Sequence, residues 1–377
     1  MTGLVSAPEA KVSVIVIEDG KIAALGDEDA LAGLALGGTL DVQGMTVAPG
    51  FIDSHVHPVL GDFTPRQKML DFIESSLHGG VTSMISAGEA HTPGRPKDPA
   101  GVKALAVLAH KSSVNARPGQ VKLHGGALIL EKGLKESDFV ELAEQGVWLV
   151  GEIGLGSVRE PEEAAEMVAW AHEYGFKVAM HTGGTSIPGS SVVGADAVIA
   201  VRPDVVSHLN GGPTAAPPAE VKRIIEDSDL PVEIVQCGNV RVALDIARKL
   251  GERSEFERLV LGTDTPSGTG VIPLGILRNL AFLASVGDVD PGVAIACATG
   301  NTARVFGLSA GVIAPGKEAD FVVMDAPIGS AGRDAAGALV AGDLPGIAAV
   351  IVDGKLVAQK SRNTAPPNRS VKVAGEV

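Results

Sequence analysis

Two histidines, His55 and His57, close an apolar run that begins at Val47. The two-residue period of a strand puts both imidazoles on one side, where they make half a metal site. Further donors stand at the ends of other short apolar runs: Glu152, His181, His208 and Asp264. Imidazole and carboxylate suit Zn or Fe(II), and six donors exceed what one four-coordinate ion needs, so two ions sharing a bridge accommodate the set. Taken singly, a bare His-x-His is weak, and His181 or His208 reads as a hydrogen-bonded core histidine. Glu152 alone reads equally as an ion pair or a helix cap. Their equivalent placement in a repeat argues for ligands, and an acid inside the apolar run 148–154 is costly unless paired or metal-bound. Cysteine does not enter: Cys237 and Cys297 form no CxxC pair.

The elements that must carry these residues are short and aliphatic. With the His55 run, apolar segments at 82–88, 121–126, 148–154, 177–184, 204–210, 232–238 and 259–264 make eight. Helical stretches lie between them. Residues 161–174 open on Pro161, Glu162 and Glu163 and then place Ala164, Met167, Val168 and Ala171 on a 3.6-residue period. Residues 218–227 and 240–250 read alike. Eight buried strands alternating with helices predict an α/β protein, a (β/α)8 barrel whose strand C-termini form the active face. A doubly wound open sheet is the competing arrangement. Both chain ends read differently. Residues 11–26 form a strand pair around the Asp19-Gly20 hairpin signal, and 39–44, 319–325 and 348–357 continue the β pattern. The expectation is a small β-sandwich built from residues 1–48 and 311–377, with the barrel at 49–310.

Composition excludes several function classes. The chain of 377 residues is 45% hydrophobic and only 3% aromatic, as expected for an aliphatic α/β interior. Its net charge of −14 opposes binding to nucleic acid. No apolar run reaches the ~20 residues needed to span a bilayer, and no basic n-region precedes an apolar core. A cytoplasmic protein without membrane partners is expected, consistent with two cysteines and no disulfide framework.

On these residues the chain resembles the amidohydrolase superfamily, with its HxH after strand one, carboxylate from strand four, His on strands five and six and Asp on strand eight. The lead-in 47–53 and the return 311–320 fit the same pattern. More narrowly, Pro65-Arg66-Gln67-Lys68, residues 93–98 and 181–191, His208-Leu209-Asn210-Gly211-Gly212-Pro213 and residues 266–279 are similar to the enamidase branch. That branch opens the lactam of 1,4,5,6-tetrahydro-6-oxonicotinate to give 2-formylglutarate and ammonia. The resemblance implies two divalent ions per chain, zinc or zinc with iron, held by His55, His57, Glu152, His181, His208 and Asp264. It implies a homotetramer as well. Many relatives bridge their ions with a carboxylated lysine. Strand four has none here, so Glu152 is the expected bridge and Lys122 on strand three only a fallback. A hydroxide shared by the ions would attack the amide carbonyl while Asp264 shuttles the proton to the leaving nitrogen.

For an anionic ring substrate the expected contacts are Arg66, whose planar fork suits a carboxylate, then Arg95 and Lys97, with His124 and Thr182 at strand ends. Cys237 reads as a small buried apolar residue. His78 and His172, within helical stretches, read as structural. The alternatives are a D-aminoacylase-, isoaspartyl-dipeptidase- or hydantoinase-like amidohydrolase, which would change the loop cations, and a non-catalytic interaction protein, which would lack ligands.

Overall fold

The computed structural model describes residues 1–31, 33–58, 66–92, 94–187, 189–211, 214–266 and 270–377, without the side chains of 30, 31 and 66–71. Among them are eight short strands of the middle region: Phe51–Val56, Val81–Ser86, Lys122–His124, Leu149–Ile153, Lys177–Met180, Val205–Val206, Val232–Val235 and Leu259–Gly262. Numbered one to eight, strands one to three form one parallel sheet and strands four to eight another. The sheets join at both seams. Leu128, beyond strand three, pairs with Val150, and Val56 pairs with Thr265 just past strand eight. At the second seam the backbone N–H of Asp264 donates to His55 O at 2.9 Å and that of His57 to Thr265 O at 3.0 Å. Buried Asp53 also accepts from the Thr263 backbone N–H at 2.9 Å and hydroxyl at 2.6 Å. The ring therefore closes, and the open sheet is excluded.

Closure explains the aliphatic runs, because a strand covered by helices outside and side chains inside is buried on both faces. Ile52, Ile85, Ala127, Leu149, Ala179, Val205 and Val260 pack together in the interior, and Ala303 and Phe306 of helix Gly300–Phe306 join the same cluster. Each of the Ile, Leu, Val and Phe side chains contributes about 1.5–3 kcal/mol on burial, and each alanine less. A filled barrel leaves only its C-terminal mouth for chemistry.

The helices begin where sequence signals place them. Pro161–Glu173 starts at a proline with two acids in its first turn and buries Ala164, Met167, Val168 and Ala171. Val240–Arg253 is capped by the Asn239 side chain, which accepts from the N–H of Arg241 and of Val242. No helix of the described residues is long and apolar enough to cross a membrane.

Both chain ends contribute to a β region beside the barrel. A four-stranded antiparallel sheet runs in the order Lys355–Gln359, Gly346–Val352, Phe321–Asp325, Thr46–Pro49. Val14–Glu18 pairs with Lys21–Gly26 as the hairpin, and Gly38–Asp41 pairs with Lys372–Gly375, a strand the sequence pattern did not announce. Thr46–Pro49 runs directly into strand one through Gly50, where a Cβ would lie 2.2 Å from Thr82 Oγ1. The β region is thus attached to the barrel at the strand that carries the HxH pair.

Candidate metal centre

Strand one ends with His55 Nε2 and His57 Nε2 3.1 Å apart, on one side as the spacing requires. Glu152 of strand four lies between this pair and a second one. Its Oε2 is 3.5 Å from each of those nitrogens, and its Oε1 is 2.6 Å from His208 Nε2 and 3.8 Å from His181 Nδ1. His181 Nδ1 and His208 Nε2 are in turn 3.1 Å apart. Asp264 Oδ1 sits 3.3 Å from His57 Nε2 and 3.6 Å from His55 Nε2. His55, His57 and Glu152 form one group with donors within 4.8 Å of one another, and Glu152, His181 and His208 form another, all buried. The six residues expected to meet do meet.

The other nitrogen of three rings is already engaged. His55 Nδ1 faces Glu233 Oε2 at 2.8 Å, His57 Nδ1 faces Gly88 O at 3.0 Å and His181 Nε2 faces Gly184 O at 2.7 Å. A partner on one nitrogen fixes the tautomer and leaves the lone pair of the other toward the cluster, as metal-ligating histidines require. The Gly88 carbonyl reaches His57 because Gly88 holds φ +113° and a Cβ there would fall 2.4 Å from Ile129 Cδ1.

Glu152 Oε1 is buried and, despite its nearness to His208, lacks a hydrogen bond of acceptable geometry among the described residues; so does His208 Nδ1. A carboxylate oxygen facing nitrogens without a well-aligned hydrogen is what a pair of cations would satisfy. These residues therefore fit divalent cations, with Glu152 common to both groups of donors. Two of the six hold left-handed backbone, His208 at φ 31° and Asp264 at φ 56°. Such strain costs on the order of 1–3 kcal/mol per residue and concentrates at functional sites.

Electrostatics agree with the donor set. Burial alone would raise the Glu152 carboxyl, but the His208 and His55 charges hold it well below the ordinary carboxylate range. Burial also works against ionised Asp264, yet the adjoining His57 ring and the His55 and His208 charges bring it to about 2. Burial would lower His55 and His208. Glu233 and Glu152 raise the first well above its ordinary value, and chiefly Glu152 raises the second. Metal binding must displace those protons.

The expected substrate contacts fare differently. Arg66 begins helix Arg66–Leu77, and its side chain lies outside the described residues, as do Pro65, Pro93, Pro188, Gly212, Pro213 and residues 267–269 of the resembling stretches. Lys97 is exposed. Arg95 is committed to buried Glu131 at 2.8 Å. His124 does not join the cluster. On a three-residue strand it shares a side with Lys122, packs edge-on to Trp148 at 5.5 Å, and lines a separate cavity of about 400 Å³ with Lys122, Arg117, Glu318 and Asp353. Thr182 is fully buried and spends its hydroxyl on Ser207 O at 2.8 Å, tying strand five's end to strand six's. Lys122 is no carbamate candidate, since its ammonium is held by Glu318, Asp320 and Asp353 at 2.6–2.8 Å. Cys237 is a further correction: it is half-buried, and its thiol lies 3.2 Å from Asp264 Oδ2. His172 pairs with Asp204 at 2.9 Å, and His78 accepts from the Arg362 N–H at 3.4 Å, both in structural roles.

Two residues beside the centre were not among the expected ones. Glu233 sits mid-strand in an apolar run, the same cue that marked Glu152. Exposed His91 stands edge-on to His57 with ring centroids 4.9 Å apart.

The amidohydrolase family model matches residues 46–357. The enamidase of Eubacterium barkeri is 57% identical over 373 residues, covering 99% of this chain and 97% of that one. A crystal structure of enamidase superposes with a TM-score of 0.95 at 57% identity, with the same coverage of each chain. A β-aspartyl dipeptidase from Fervidobacterium islandicum AW-1 shares the fold, with a TM-score of 0.63 at 18% identity over 93% of this chain and 94% of that one.

Proposed function

This chain belongs to the amidohydrolase family, and we propose that within it the protein is a metal-dependent hydrolase that opens a cyclic amide of the enamide type. The observation that carries the reading is Glu152 set between two histidine pairs, in a chain 57% identical to an enamidase along nearly its whole length. His55, His57 and Asp264 would hold one ion and His181 and His208 the other, with Glu152 as their common ligand. Two divalent cations, zinc or zinc with iron, would lower the pKa of water and polarise the amide carbonyl when bound.

The chain's own residues handle orientation and protons. Asp264 Oδ1, beside His57 and His55, takes the proton from the attacking water and passes it to the ring nitrogen as the C–N bond breaks. The nitrogen leaves as an enamine. Tautomerisation to an imine and addition of a second water release ammonia and leave an aldehyde, so one amide attack results in cleavage of two C–N bonds. For an acidic ring Arg66 is the proposed carboxylate partner and Lys97 a secondary one. A cytoplasmic homotetramer completes the reading; the two cysteines, which form no disulfide, fit a reducing compartment.

The test is a substrate panel on purified metal-loaded protein: tetrahydro-6-oxonicotinate, hydantoins and N-acyl amino acids, followed by ammonia release and ring opening. Turnover of the lactam with release of ammonia supports the reading. Turnover of hydantoins or N-acyl amino acids in its place would replace it with another amidohydrolase activity.

A further inference from the structure

Strand seven supplies no ligand to the cluster, yet it places a carboxylate against it. Glu233 is completely buried, and among the described residues its ion-pair partner is His55. Its Oε2 accepts from His55 Nδ1 at 2.8 Å and from the backbone N–H of His208 at 3.0 Å, and its Oε1 accepts from the Ser54 hydroxyl. His55 belongs to one histidine pair and His208 to the other, and His208 is held in left-handed backbone. The space is reserved for this arrangement. A Cβ on Gly262 would lie 2.7 Å from His55 Cβ, 3.0 Å from Ser54 Oγ and 3.1 Å from Glu233 Oε1.

We infer that Glu233 is a positioning residue that couples the two metal subsites, one carboxylate oxygen setting the His55 imidazole in the first and the His208 backbone in the second. A purely structural role explains the contacts poorly. Burying a carboxylate costs free energy, and an apolar side chain would join strands one, six and seven without that cost. The charge instead fixes the His55 tautomer and strengthens that ring as a donor, the task of an outer carboxylate behind a metal-bound histidine. Because the same oxygen restrains His208, disturbing Glu233 must disturb both subsites together.

The inference rests on the proposed pair of ions, and one experiment separates the two. Metal-stripped protein is titrated with Co²⁺, read by its visible d–d absorption, with chelator competition for affinity and circular dichroism to verify folding. Wild type is expected to take up two equivalents; fewer would overturn the two-ion reading and the coupling with it. Glu233→Ala is expected to weaken both binding steps by roughly 10- to 100-fold, the usual effect of losing an outer partner. Both steps at wild-type affinity, or a loss confined to one step, would overturn the coupling while leaving the two-ion reading intact. Glu233→Gln keeps an acceptor for both contacts but not the charge, so its affinities should fall between Ala and wild type. If the alanine variant does not fold, the glutamine variant decides, and unchanged affinities in it would overturn the inference.

Discussion

Among the described residues, two regions gather three or more carboxylate or imidazole donors within 4.8 Å of one another, the barrel mouth and the junction between barrel and terminal β region. At the mouth the donors are four histidines and two acids, with the ring nitrogens of His55, His57 and His181 that face away from the cluster already bonded. At the junction they are Glu318, Asp320 and Asp353, and the ammonium of Lys122 fills the place a cation would take. Burial pulls the Lys122 pKa down, but the three acids raise it overall, so it stays charged. Nearness of donors therefore does not make a metal site. What decides is whether the counter-charge is fixed, as the Lys122 ammonium is at the junction, or is a proton that a cation can displace, as on His55 and His208 at the mouth.

The strongest test of that contrast is stoichiometry with chelation. Active protein should carry close to two divalent ions per chain, not three, and lose its activity to chelator. Three ions, or full activity without metal, would break the comparison. Next comes Glu152→Gln, which removes the common anion of both subsites. Loss of at least one ion and an activity drop beyond the roughly 10- to 100-fold typical of outer partners are expected, and elemental analysis showing full metal would reject the bridge.

Lys122→Met would convert the second region toward the first. Three acids without their ammonium should lower stability by about 2–4 kcal/mol, less than for a fully buried pair because Glu318 and Asp353 are partly solvated. Millimolar Ca²⁺ should recover part of the lost Tm in this variant and leave wild type unchanged. A variant indifferent to Ca²⁺ would show that the acids lack a cation geometry of their own.

The regions should also differ in pH response. At the mouth, His55 and His208 have raised pKa values, whereas Asp264 stays ionised down to about pH 2. A group with raised pKa keeps its proton to higher pH, and each proton must leave before a cation binds, so apparent metal affinity should rise from pH 6 to pH 8. Equal affinities at the two pH values would contradict these charge states. The junction should be unaffected over this range, since its lysine titrates far above it. The smallest effect expected is that of Cys237→Ala, which removes a thiol contact to Asp264 Oδ2. kcat should fall about 2- to 10-fold with metal content intact, the scale of one hydrogen bond, and serine should restore part.

Much of this was legible without coordinates. His55 and His57 were readable because a strand's period is two, and Glu152 because an acid in an apolar run requires a reason. Helix starts such as Pro161 and Asn239 follow from local backbone chemistry. His124 and Thr182 show the limit. Both stand at the end of an apolar run, yet one faces Lys122 and Trp148 and the other is spent on Ser207 O. Which side of a three-residue strand faces the mouth depends on register with its neighbours, which no local pattern encodes.

Ligand types, their spacing along eight repeated units and the aliphatic strands that carry them were determined by the sequence itself, because each depends on residues a few positions apart. Barrel closure through Val56 and Thr265, the convergence of Glu152 on both histidine pairs, and the placing of Glu233 behind His55 and His208 were decided only by the tertiary structure. The same holds for the lysine that neutralises the second acidic cluster, 196 positions before Glu318. These are contacts between residues remote in the chain, and their energies depend on distance and burial, which exist only once the ring has closed.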